Sequence, residues 1–118
     1  MNSRLKKLAI IVLAVSIPTV AMMFSNSSSV IGGTAAANDA LYKSKCAVCH
    51  AADGSGNTAM GKKLAIRDLR SAEVQGQSDA QLSKAIAKGK GKMPAYEKSL
   101  SADQVRELVG VIRRLGRR

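Results

Sequence analysis

Cys46-Ala47-Val48-Cys49-His50 decides how this chain is read. The five residues spell C-x-x-C-H, and they hold both cysteines and the one histidine of the 118-residue sequence. The spacing has a chemical reason. Two thiols three positions apart can each form a thioether with one of the two vinyl groups of a porphyrin, while the next side chain reaches the iron. The pattern is therefore a c-type haem attachment signal, with Cys46 and Cys49 as the covalent anchors and His50 as an axial iron ligand.

Three other readings of the motif are weaker. A thioredoxin-like dithiol sits in βαβ surroundings, whereas the flanks here are helical on one side and loop-like on the other. A structural zinc site takes four protein ligands, usually as recurring pairs, and no second pair exists. An incidental motif would leave an exported domain with almost nothing to fill its centre. Phe24 lies in the leader, so Tyr42 and Tyr96 are the only aromatic residues of the domain, and the chain has no tryptophan. Domains this small bury too little apolar surface to be stable without a staple or a cofactor. A disulfide between Cys46 and Cys49 would close too short a loop to supply one.

Methionine thioether is a common partner of histidine at such an iron, and the domain holds Met60 and Met93. Met93 stands before Pro94, which biases it to extended backbone, with Gly89 and Gly91 just upstream. That suits a loop folding over the haem, so Met93 is the expected sixth ligand. Met60 is the alternative, and its ordinary role would be packing.

Outward from the motif, the pattern is helical. Asn38 or Asp39 can cap a short helix through Ala40, Leu41 and Tyr42 into Cys46. Residues 51–61 are small and turn-forming, a loop able to lie close to a flat ligand. Residues 62–77 are mixed, with short helical or irregular pieces expected. Ser78-Asp79-Ala80-Gln81 and Ser101-Ala102-Asp103-Gln104 each have capping-box spacing. The first opens a helix to Lys88 stopped by Gly89; the second opens the strongest helix, with Val105, Leu108, Val109, Ile112 and Leu115 on one face. No alternating strand pattern or internal repeat is visible, so the fold class is all-α with long loops.

The start of the chain has a different composition. Arg4, Lys6 and Lys7 precede an almost wholly apolar stretch over residues 8–24 and a Ser/Gly-rich spacer, the layout of an export signal. Ala35-Ala36-Ala37 offers a cleavage site before Asn38. Residues 1–37 are thus expected to be a signal peptide, or an uncleaved membrane anchor with a tether, and residues 38–118 the single functional domain, periplasmic or otherwise exported. The net charge is +11. Export and the lack of aromatics among the lysines argue against nucleic acid, which leaves acidic redox proteins as partners of a monomer.

With these residues laid out, the domain resembles class I c-type cytochromes, small monohaem electron carriers of bacteria. Ala40-Leu41-Tyr42 ahead of the motif, the Asp53-Gly54-Ser55-Gly56 loop after it, Lys90-Gly91-Lys92-Met93-Pro94-Ala95-Tyr96 and the amphipathic last helix carry the resemblance over residues 38–118. It implies a small cytochrome c fold in which the first and last helices cross near one haem edge, with Tyr42 packed there and His50 and Met93 as axial ligands. The departure is Gly110-Val111-Ile112, where the family usually places an aromatic. Such a protein would be a one-electron carrier of a respiratory chain and not an enzyme. A gas-binding or sensing haem would need an open iron position, a peroxidase would need distal acid–base groups that a chain with one histidine lacks, and a thiol redox protein would need exchangeable cysteines.

Overall fold

The computed structural model describes residues 33–118, which form six helices without a strand. The expected export segment lies almost entirely outside the described residues. The first helix, α1, runs Ala35–Lys45, and Thr34 caps it by accepting a hydrogen bond from the Ala37 amide at 3.2 Å. It begins earlier than the sequence suggested. Asn38, read as a possible cap, is instead buried one turn inside, where its side-chain amide donates to the Gly33 carbonyl at 3.3 Å. The alanine run offered as a cleavage site makes the first turn.

A single-turn helix α2, Ala47–His50, carries the cysteine motif, and α3, Ala59–Leu64, follows the small-residue loop. The helix begins where a loop was expected because Thr58 caps it, its hydroxyl accepting from the Gly61 amide at 2.8 Å. Ser71 caps another short turn, α4, Ala72–Gln75. The two capping boxes open α5, Asp79–Lys88, and α6, Ala102–Leu115, with the serine and glutamine contacts reciprocal in both. At the end of α5, Gly89 takes φ of +75°, a left-handed value that only glycine adopts at low cost.

The core lies where α1 and α5 pack on α6. Val105, Leu108, Val109, Ile112 and Leu115 are buried as their spacing requires, and Val111 joins them. Leu108 is the most enclosed at 1% exposure, and complete burial of a leucine is worth about 1.5–3 kcal/mol. Tyr42, 3% exposed, packs with this cluster at the α1–α6 contact and donates its hydroxyl to the Ala51 carbonyl at 2.9 Å.

Polar clamps fix the helices around that core. Arg114 pairs with Asp39 at 2.7 Å, joining α6 to α1. Arg113 reaches the Gln75 carbonyl at 2.7 Å and Asp79 at 2.8 Å, and the Gln75 amide donates to the carbonyls of Leu69 at 2.7 Å and Ile112 at 3.1 Å. These contacts hold the irregular segment over residues 65–78 against α6. Among the described residues, no helix is long and apolar enough to cross a membrane.

Candidate haem site

The cysteine motif is held by its backbone. The Cys46 carbonyl accepts from the amides of Cys49 at 3.1 Å and His50 at 2.9 Å, closing one tight turn that presents both cysteines and the histidine within five residues. The turn ends at Ala51, whose φ of 62° and ψ of 160° lie in a region that is essentially reserved for glycine. Four hydrogen bonds surround that strained residue. Its amide donates to Ala47 at 2.9 Å, its carbonyl accepts from the Tyr42 hydroxyl and from the Gly54 amide at 3.2 Å, and the His50 carbonyl beside it accepts from the Gly56 amide at 2.8 Å.

Two residues that sequence reasoning passed over support the motif from behind. The Thr58 hydroxyl donates to the carbonyls of Val48 at 2.9 Å and Cys49 at 3.2 Å while capping α3. Gly61 lies so close that a β-carbon there would stand 2.1 Å from the Gly56 oxygen and 2.5 Å from the Cys49 oxygen. A threonine followed three residues later by glycine was the only trace of this in the sequence, and it is a weak one.

Met93 is positioned by a separate loop. Lys90 and Met93 exchange backbone hydrogen bonds of 3.3 and 3.1 Å across Gly91, whose φ is +60°. The chain then returns to the end of α5, where the Tyr96 amide donates to the carbonyls of Ile86 and Ala87 at 3.1 Å each. The Tyr96 ring packs against the core, and its hydroxyl donates to the Lys45 carbonyl at 3.2 Å. Tyr96 thus ties this loop to the core and to the end of α1. Met60, on α3, is 42% exposed.

Three contiguous cavities open between these elements. The largest, about 1060 Å³, runs from His50 past Leu64, Ile66 and Val74 to Leu82 and Met93. A second of about 620 Å³ lies against Cys46, Cys49 and Tyr96. The third, about 450 Å³, reaches inward to Tyr42, Leu108 and Ile112. Only His50 and Met93 belong to the walls of all three.

The chemistry of this cleft fits a haem. His50 Nδ1 is buried without a hydrogen-bond partner, the one such side-chain atom among the described residues, and an orphan of this kind costs about 1–3 kcal/mol. Burial pushes the His50 imidazole below its usual pKa, which keeps the ring neutral as a metal ligand must be. Burial, aided by the neighbouring Cys49, pushes the Cys46 thiol up to about 11. A redox-active C-x-x-C pair needs the reverse, a lowered thiol pKa. The side chains able to hold a haem here are therefore Cys46, Cys49, His50 and Met93.

A helical domain that gathers a C-x-x-C-H turn and a methionine loop around one largely apolar cleft is a c-type cytochrome, with haem c as its covalent cofactor. The family model described as cytochrome c oxidase, cbb3-type, subunit III matches residues 33–110, and the chain belongs to this family of cytochrome c domains. Similar solved structures include the KustC0563 c-type cytochrome, 31% identical, with a TM-score of 0.61 over 66% of this chain and 95% of that one. No curated protein matches the chain.

Proposed function

We propose that the protein is a one-electron carrier whose haem is attached through Cys46 and Cys49 and whose iron is held between His50 and Met93. The observation that carries this reading is that these two residues alone line all three cavities of the cleft. When bound, the haem supplies a reversible Fe(III)/Fe(II) couple. His50 and Met93 would both serve as iron ligands, which would leave no open site of the kind a gas sensor or a peroxidase requires. A thioether ligand raises the potential, and apolar walls such as Leu82, Ala85 and Ile112 disfavour the additional charge of the oxidised iron. His50 is the only histidine, so no second imidazole is present for distal acid–base work. A carrier follows rather than an enzyme.

The charge distribution supports acidic redox proteins as partners. Seven of the chain's 8 acidic residues are in ion pairs, six of them with arginine, and Glu107 bonds the Gly33 amide. Apart from Lys88, which pairs with Glu97, the lysines among the described residues have no acidic partner. Lys45, Lys90 and Lys92 line the cleft, while Lys43, Lys62 and Lys63 stand on the helices beside it, all without an acidic partner among the described residues. Val48, 65% exposed, adds an apolar contact beside Cys49. Such a surface suits a monomer that shuttles between partners of an exported respiratory chain. A terminal oxidase would be a reasonable acceptor in view of the family. The leader fits delivery to the periplasm.

The ligand assignment is tested by the absorption spectrum of the oxidised holoprotein with and without Met93→Ala. The weak near-infrared thioether-to-iron band should be present in the parent and absent from the variant. A band that survives the change would exclude Met93 and point to Met60.

A further inference from the structure

The largest of the three cavities extends beyond the cysteines. Its wall contains neither Cys46 nor Cys49, and its polar side chains other than His50 are Arg67, Gln77, Lys90 and Lys92. Every one of these can donate hydrogen bonds and three are cations, whereas no carboxylate lines it. Lys92 also lines the cavity beside the cysteines; Arg67, Gln77 and Lys90 belong to the far part alone. An apolar cavity whose polar lining is all donors, without an acid, is suited to receive anions.

A porphyrin tethered by its vinyl edge carries its two propionates on the opposite edge. We propose that Arg67, with the Gln77 amide and Lys90 of the same cavity wall, supplies the carboxylate-binding donors of the cleft and takes the haem propionates. The assignment rests on the haem reading above and adds the residues that meet the other edge.

Local structure makes Arg67 the principal group. Its segment is pinned on both sides, by the Ile66 amide donating to Gly61 at 2.9 Å and the Leu69 amide donating to Gly54 at 2.8 Å. The guanidinium pairs with Glu73 at 2.6 Å, but both side chains are more than half exposed. Such a surface pair holds weakly, so Arg67 can exchange Glu73 for a propionate at small cost. A planar guanidinium also matches a carboxylate through two parallel hydrogen bonds, which an ammonium cannot do. The Gln77 side-chain amide has only a 3.5 Å contact to the Glu73 carbonyl, at the limit of a hydrogen bond, so its donors are free.

A cation on a propionate offsets negative charge that would otherwise favour the oxidised iron, which makes Arg67 a positioning residue with an effect on potential. The test compares the midpoint potentials of the parent holoprotein, Arg67→Gln, Arg67→Lys and Arg106→Gln, measured by spectroelectrochemical titration at low and high ionic strength. Arg106 lies on α6, is paired with Asp103 and lines none of the three cavities, so it controls for loss of one charge. Arg67→Gln should lower the potential more than Arg106→Gln, the difference should persist at high salt, and Arg67→Lys should fall between. Equal shifts for the two glutamine variants, or a difference that salt abolishes, would overturn the assignment. Failure of Arg67→Gln to mature leaves Arg67→Lys to decide, since a potential equal to the parent's would refute the need for the planar fork. Mass spectrometry of the parent separates the two levels of the argument. A chain with no covalent haem would remove the function reading as well, whereas attached haem with equal potentials removes this assignment alone.

Discussion

The same substitution at two helical glycines should change stability in opposite directions. At Gly61, a β-carbon would meet the Gly56 oxygen at 2.1 Å and the Cys49 oxygen at 2.5 Å. Both obstacles are backbone, and both are already engaged. The Thr58 amide donates to the Gly56 carbonyl at 2.9 Å, and the Thr58 hydroxyl donates to the Cys49 carbonyl at 3.2 Å. Making room requires α3 to move away from the cysteine turn. Overpacking of this kind costs about 1–3 kcal/mol, and each lost hydrogen bond adds about 0.5–1.5 kcal/mol. Better helix propensity returns about 1 kcal/mol at most, so Gly61→Ala with both bonds lost should destabilise by about 1–5 kcal/mol. At Gly110, inside α6, the only atom within reach of a new β-carbon is Arg114 Nη1 at 3.8 Å, an ordinary contact. Gly110→Ala should therefore stabilise by about 0.5–1 kcal/mol. In a domain of this size 1 kcal/mol moves Tm by about 4–8 °C. Guanidinium and thermal unfolding of the oxidised holoproteins, with haem attachment verified by mass, would measure both. An unchanged midpoint for Gly61→Ala would mean that α3 does not press on the haem turn, and the account of how the motif is held would have to be given up.

Two other outcomes follow from the site. Ala51→Gly removes a strain of about 1–3 kcal/mol at a glycine-only backbone conformation and gives back about 0.4–1 kcal/mol of unfolded-state freedom; holoprotein unfolding should show a net gain of about 1 kcal/mol, and a loss would mean that the turn is not strained. Electron transfer to an acidic redox protein, followed by stopped flow, should slow by about tenfold or more as ionic strength rises from low to physiological. Replacing Lys45 and Lys92 by glutamine should flatten that dependence, and rates indifferent to salt in the parent would reject lysine steering.

How much of this was legible depends on how far apart the interacting groups lie along the chain. The capping boxes of α5 and α6 join residues three apart, and the buried stripe of α6 repeats within one turn of helix, so their signals survive in the sequence alone. The start of α1 was expected at Asn38 or Asp39, whereas Thr34, not among the expected caps, opens the helix one turn earlier. Thr34 won because Asn38 satisfies the Gly33 carbonyl while buried, a choice made by packing and not by propensity. The C-x-x-C-H turn stood out in the sequence because attachment chemistry imposes a fixed local spacing. Its supports did not, since Thr58 and Gly61 act across a loop on the carbonyls of Val48 and Cys49.

The division of labour among the cations was equally hidden, because composition counts arginine and lysine together. In the fold, arginine takes most of the ion pairs: Arg113 and Arg114 clamp α6 to Asp79 and Asp39, and Arg70 bridges Asp53 and Asp68. A planar fork satisfies several acceptors at once, which is what a clamp needs. A lysine ammonium is more strongly hydrated and mobile, so it serves a transient surface better than a fixed joint. With six of the 8 acids paired to arginine, the excess positive charge belongs mainly to lysines, and six of them stand at or beside the cleft. Under the proposed carrier function, the charge excess that the sequence shows as a bulk property would act at the cleft, where these lysines stand.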